Sequence, residues 1–177
     1  GGKCMKPLYL ELQAFGPYVE NPQSVFLHKG QKLSEKGIFL IKGKTGSGKT
    51  TVFDAMTFAL YGGGSGENEK SKNGRNDLEE WRCSQADDNI DTYVSFTFSV
   101  YGRKYRFTRK LVKKRVKFSA EYEAGEIDEE GNVIPFFENP KKDSLTEKAE
   151  ELIGLSKEQF RQVVLLPQGQ FEIFLTA

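Results

Sequence analysis

The octapeptide Gly43-Lys44-Thr45-Gly46-Ser47-Gly48-Lys49-Thr50 constrains this chain more than any other feature. It fits the spacing G-x-x-x-x-G-K-[ST]. Directly before it runs Gly37-Ile38-Phe39-Leu40-Ile41, continuously apolar, as in a strand buried on both faces. Directly after it, Thr50 to Tyr61 reads as a helix rich in apolar side chains, with Gly62 placed to stop it. A strand, a glycine turn and a helix in that order predict an α/β (α+β) chain built around a phosphate-binding loop, a P-loop NTPase. The residue types follow from the chemistry. Gly43, Gly46 and Gly48 open backbone angles closed to other residues, so that successive N–H groups can point at phosphate oxygens. The helix behind them adds its N-terminal dipole. Lys49 is expected to reach the β- and γ-phosphates, the Thr50 hydroxyl to ligate Mg²⁺, and Thr51 to hold the α-phosphate side. The expected cofactors are therefore ATP and Mg²⁺.

Hydrolysis in this class needs a carboxylate at the end of a second apolar strand, to hold Mg²⁺ and orient water. The candidates are Ile38 to Ile41, Tyr93 to Phe98 and Val163 to Leu166, and none ends in Asp or Glu. Either the motif is degenerate or the rest of the site lies elsewhere, so the chain by itself is not expected to turn over ATP.

The 177 residues suffice for one compact domain with a sizeable core. Gly1 to Cys4 precede Met5 and read as a cloning remnant, which leaves 5–177 as the native domain and Cys83 as its single thiol. A lone thiol makes neither a disulfide nor a zinc site and fits a reducing cytoplasm. No apolar run approaches the ~20 residues of a membrane span, so no membrane partner is expected. Further strands are expected at Leu8 to Gln13, Ser24 to Leu27, Thr92 to Val100 and Val133 to Phe137. Glu121 to Gly131 reads as an acidic stretch ending in a turn. Two S-x-x-E/Q capping boxes, Ser144 with Glu147 and Ser156 with Gln159, open two helices, the first closed by Gly154. Residues 62–76, rich in Gly, Ser, Asn and Lys, read as a mobile loop. Trp81 is expected to pack, Cys83 to be a small packed side chain, and His28 to be a surface residue.

Charge is unevenly spread. Nine of the 26 basic residues fall between Arg103 and Lys117, where there is no acid; the remaining 17 face all 25 acids and sum to −8. The stretch is strand-like, with Lys104, Arg106 and Lys110 on one face and Tyr105, Phe107 and Leu111 on the other. The first set is a candidate contact to nucleic-acid phosphates. The alternative is the wet face of an antiparallel sheet.

Three blocks resemble bacterial SbcC-type, SMC-like ABC ATPases. They are Met5 to Leu10 with Ala14-Phe15-Gly16-Pro17-Tyr18; Lys42 to Thr51 running into Phe53 to Gly62; and Gln159 to Gln162 with Leu165 to Phe171. The middle block is common to many ABC-type ATPases, and the outer two are more specific. The resemblance implies the N-terminal lobe of an ABC/SMC-type head, with a mostly antiparallel sheet beside the phosphate site. A coiled coil would follow beyond residue 177, and a C-terminal lobe would supply the missing carboxylate. It implies that Gln168 is the glutamine that contacts Mg²⁺ and senses the γ-phosphate, and that Phe15 to Tyr18 lie beside the nucleotide unless they form an ordinary strand-end turn. It further implies ATP hydrolysis by a homodimer of heads, an SbcD-type nuclease subunit, duplex DNA as partner, and a role in DNA repair, recombination and replication. Two other readings stay open on the residues alone: a nucleotide-sensing module that acts by occupancy without hydrolysis, and a small kinase, for which no acceptor site is evident.

Overall fold

The computed structural model describes residues 3–16, 23–26, 47–63, 77–162 and 173–175. Among these residues, seven strands form one sheet: β1 (Lys3–Gln13), β2 (Gln23–Phe26), β3 (Thr92–Val100), β4 (Arg103–Lys114), β5 (Lys117–Ile127), β6 (Val133–Pro135) and β7 (Ile173–Leu175). The order is β2-β1-β3-β4-β5-β6, with β7 pairing the start of β1, and every pairing is antiparallel. Successive strands from β3 to β6 are joined by short turns, which antiparallel pairing permits. At Tyr101-Gly102 both residues have positive φ, the geometry that a two-residue hairpin with native twist demands.

The sheet is two-faced. Leu10, Leu12, Val94, Phe96, Phe98, Tyr105, Phe107 and Leu111 point inward and are buried. The Phe98 ring lies 5.2 Å from that of Phe96 and 5.6 Å from that of Phe107. Burial of each such side chain stabilises by about 1.5–3 kcal/mol. The expected alternation in β1 is broken once. Pro7 pairs with Phe98 and Tyr9 with Thr97, which leaves Leu8 as an extra residue. Met5 and Pro7 therefore join the buried face while Leu8 is only half-buried. Pro7 has no N–H for the ladder, and a bulge is where a strand tolerates that loss.

Helix α1 (Ser47–Tyr61) lies on the inner face of the sheet. Ala55, Met56, Phe58, Ala59, Leu60 and Tyr61 are all buried, because α3 (Lys142–Ile153) and α4 (Lys157–Arg161) pack on its other sides. A helix that is apolar all round is a buried helix. The short α2 (Asp77–Trp81) closes the end of the core. There Trp81 stacks on Phe15 with ring centroids 4.9 Å apart and planes 8° from parallel.

Several expectations hold: β3 has its predicted bounds, Gly62 (φ 69°) and Gly154 (φ 78°) end α1 and α3, Ser156 and Gln159 form a reciprocal capping box, and Cys83 is buried. Others are corrected. The stretch from Glu121 to Gly131, read as acidic with a terminal turn, begins as the second half of β5, because β4 offers a full paired edge from Lys104 to Lys114. Ser144 does not cap α3 as its first residue: the helix opens at Lys142, and Ser144, one turn in, accepts from the N–H of Lys141. Helix α1 starts at Ser47 rather than Thr50. The apolar runs at 38–41 and 163–166, the loop at 64–76, and His28 lie outside the described residues.

Candidate nucleotide site

Helix α1 begins inside the glycine motif, so Ser47, Gly48, Lys49 and Thr50 form its first turn and Thr51 begins the next. The first four N–H groups of a helix have no partner within it and carry the positive end of its dipole. These five residues are described by their backbone; Gly43, Lys44, Thr45, Gly46 and Gln168 lie outside the described residues. An anion at this end of α1 meets donors supplied by the main chain, whatever the side chains do.

The other end of α1 is fully satisfied. Gly62 N–H donates to Phe58 O (2.8 Å), and the Thr146 hydroxyl donates to Tyr61 O (2.9 Å). Between them, Arg109 donates from Nε to Ala59 O and from Nη2 to Leu60 O, both at 3.0 Å. The same guanidinium reaches Thr146 Oγ1 at 3.3 Å and Lys142 O at 3.4 Å on α3. Arg109 is 1% exposed. The sequence counted it among the cations of a surface stretch and missed this role. The signal was present: the period of two that turns Tyr105, Phe107 and Leu111 inward turns residue 109 inward as well.

Helix α4 ends just before the segment that carries Gln168, and it is held against α1 by one ring. Phe160 stacks on Phe53 (5.7 Å, 5°) and also meets Tyr61 at 5.5 Å. The Tyr61 hydroxyl donates to Leu155 O at 2.8 Å, and its burial holds the phenol well above its ordinary pKa. Asp54, half-buried on α1, has its carboxyl pKa raised by burial, with Arg161 on α4 opposing the rise. Phe15 is fully buried against Trp81 and Phe58, so its ring belongs to the core. Ala14 to Gly16 turn the chain at the end of β1; Pro17 and Tyr18 lie outside the described residues.

The three candidate nucleic-acid contacts share the outer face of β4. Arg106 Nε donates to Thr97 Oγ1 at 3.0 Å. Lys110 Nζ stands 3.5 Å from Asp91 and 6.0 Å from the centre of the Tyr93 ring, and its cross-strand neighbour is Glu121. Lys104 is exposed between Ser99 and Ile127. Of the other cations in the stretch, Arg103, Lys113 and Lys114 each have a carboxylate within 4 Å. Five of the nine cations in this stretch are thus engaged with acids or buried, a division that the run of basic residues did not reveal.

A phosphate motif opening a buried helix on a mixed α/β core defines a P-loop NTPase domain. The family described as AAA domain matches residues 9–177, and the chain belongs to that family. It is 36% identical to the SbcC subunit of nuclease SbcCD from Vibrio cholerae over 98% of its own length, which is 16% of that protein. It is 37% identical to the protein of the same name from Staphylococcus aureus (strain MRSA252), over 97% of its length and 16% of that protein. The resemblance carried by the three sequence blocks therefore extends along almost the whole chain. The chain spans about one sixth of the length of the curated relatives it matches.

Proposed function

We propose that this chain is the ATP-binding half of the ATPase subunit of a DNA double-strand nuclease complex. The observation that supports it best is the position of α1: it begins at Ser47, within the glycine motif, and it is buried from Ala55 to Tyr61. The N–H groups of its first turn and Lys49 bind the β- and γ-phosphates, Thr50 and Gln168 ligate Mg²⁺, and Thr51 holds the α-phosphate side. Gly43 to Gly48 form the cradle. Hydrolysis is completed by a C-terminal lobe of the same protein, which supplies the carboxylate that the apolar strands lack, and by a second head. An SbcD-type nuclease and duplex DNA are the partners, in the cytoplasm, and Lys104, Arg106 and Lys110 contact DNA phosphates.

The decisive test replaces Lys49 with Ala in the intact protein that carries this chain. The charge facing the phosphates is lost while the backbone cradle stays. Calorimetric titration should show ATP affinity at least tenfold weaker, about 1.4 kcal/mol, with folding unchanged. Equal affinity would overturn the assignment.

A further inference from the structure

We propose that Arg109 is a positioning residue for nucleotide binding, which fixes from the sheet the axial position of the helix whose opposite end meets the phosphates. The inference rests on the reading of α1 as the phosphate-binding helix.

The last four carbonyls of a helix lack partners within it and form the negative end of its dipole. Helix α1 has no basic residue in its own last turn. Arg109, from a strand 50 residues further along the chain, brings the missing cation and closes two of the four carbonyls, those of Ala59 and Leu60. Gly62 and Thr146 close the other two. A charged donor buried this deeply is costly unless each N–H is used. Here the guanidinium spends its donors on two carbonyls of α1 and on Lys142 O and Thr146 Oγ1 of α3.

The direction of the hold matters. Ala55, Met56, Phe58 and Leu60 pack sideways against the sheet and neighbouring helices, which resists lateral movement. The hydrophobic effect is non-directional and does not by itself single out one axial position. The Arg109 bonds meet carbonyls that point along the axis, so they oppose sliding along it. Their base is rigid, since β4 is paired along its length to β3 and β5. Fifteen helical residues span about 22 Å, which keeps Arg109 away from the nucleotide. It acts through α1, as a stop that sets where the first turn at Ser47 to Thr50 stands. Hydrogen bonds to phosphate lose strength over a few tenths of an ångström, so a small axial slip lowers affinity.

The test uses the intact protein with Arg109→Lys and Arg109→Met. Lysine keeps a charge but has one nitrogen, which cannot span both carbonyls and Thr146; methionine removes the donors. Each is checked for folding by circular dichroism and thermal melting, and ATP binding is then titrated well below the melting temperature. The expected result is a Kd raised about fivefold in Arg109→Lys and more than tenfold in Arg109→Met, with kcat at saturating ATP within twofold of wild type. A lowered melting temperature with unchanged Kd in folded Arg109→Lys would mean that the residue only holds the fold, and overturns the proposal. Failure of Arg109→Lys to fold overturns it likewise; if Arg109→Met alone fails to fold, the Kd of Arg109→Lys still decides. Lys49→Ala, run beside them, separates the two readings. If Lys49→Ala loses ATP and Arg109→Lys does not, this inference alone fails; if Lys49→Ala binds as wild type does, the nucleotide reading falls and takes this one with it.

Discussion

Asp54 shows how a single side chain on α1 can work against the fold. Burial disfavours its charged form more than Arg161 favours it, so its carboxyl pKa is raised in the folded state. The folded chain then holds a proton more tightly than the unfolded chain does, and stability is lost as pH rises through the window between the ordinary carboxylate value and the raised one. An amide in its place carries no such cost. Asp54→Asn should therefore melt higher than wild type near neutral pH, and the difference should shrink as pH falls through that window and be gone below about 4. Asp54 is only partly buried, and solvent screening keeps the effect under about 1 kcal/mol, or up to about 4 °C for a domain of this size. Thermal melts of both proteins across a pH series measure it. A variant that melts lower at every pH would show that attraction to Arg161 outweighs burial. Phe15 shows the opposite balance: an aromatic at a strand end is stabilising because Trp81 and Phe58 cover it completely.

Among the elements, α4 depends most on its surroundings. Five helical residues are too few to be stable alone in water. The Ser156–Gln159 capping box closes its first turn, and Phe160, seated between Phe53 and Tyr61, attaches it to α1. Capping is worth about 1 kcal/mol, whereas truncation of a buried phenylalanine costs about 3–5 kcal/mol. Phe160→Ala should accordingly destabilise the protein about three times as much as Ser156→Ala in urea unfolding. Hydrogen exchange should speed up at the amides of 156–162 more than in β3 or β4. Uniform acceleration across the sheet would instead place Phe160 in the global core. Strand β4 is the other element with a divided role: one face supplies Tyr105, Phe107 and Arg109 to the interior and the other carries Lys104, Arg106 and Lys110.

At the scale of the molecule, the charge layout decides how far the outer sheet face can serve as a surface for duplex DNA. Glu11, which accepts hydrogen bonds from the hydroxyls of Tyr9 and Tyr93, and Glu121 interrupt the cations on this face. Contacts to phosphates would be salt-sensitive and indifferent to sequence. Lys104→Glu/Arg106→Glu/Lys110→Glu should weaken duplex binding by the intact, ATP-bound protein. It should also flatten the plot of log affinity against log salt by about 2, less than the ~2.7 that three independent phosphate contacts would give, because Asp91 already engages Lys110. ATP affinity should not change. Fluorescence anisotropy over a salt series reads the slope, and an unchanged slope would make this the wet face of an antiparallel sheet and nothing more.

The features legible in the chain alone are local. The glycine motif announced the start of a helix, Gly62 and Gly154 announced two helix ends, Ser156 a cap, and the alternation from Thr92 to Val100 a strand. Each of these is fixed by backbone freedom, capping chemistry or side-chain period within about a turn of chain. The division of β4 into a wet face and a packed face was legible for the same reason. The remaining features depend on partners far away in sequence, and the folded molecule alone settles them. Lys117–Ile127 is a strand because the paired edge of β4 runs beside it, although its own composition is that of a polar stretch. Leu8 is displaced from its expected face by the bulge where β1 meets β3. Arg109 is buried because α1 and α3 present three carbonyls and a hydroxyl to its guanidinium. A cation in a basic run takes the interior only when acceptors from other elements converge on it, and no count along a single strand records that convergence.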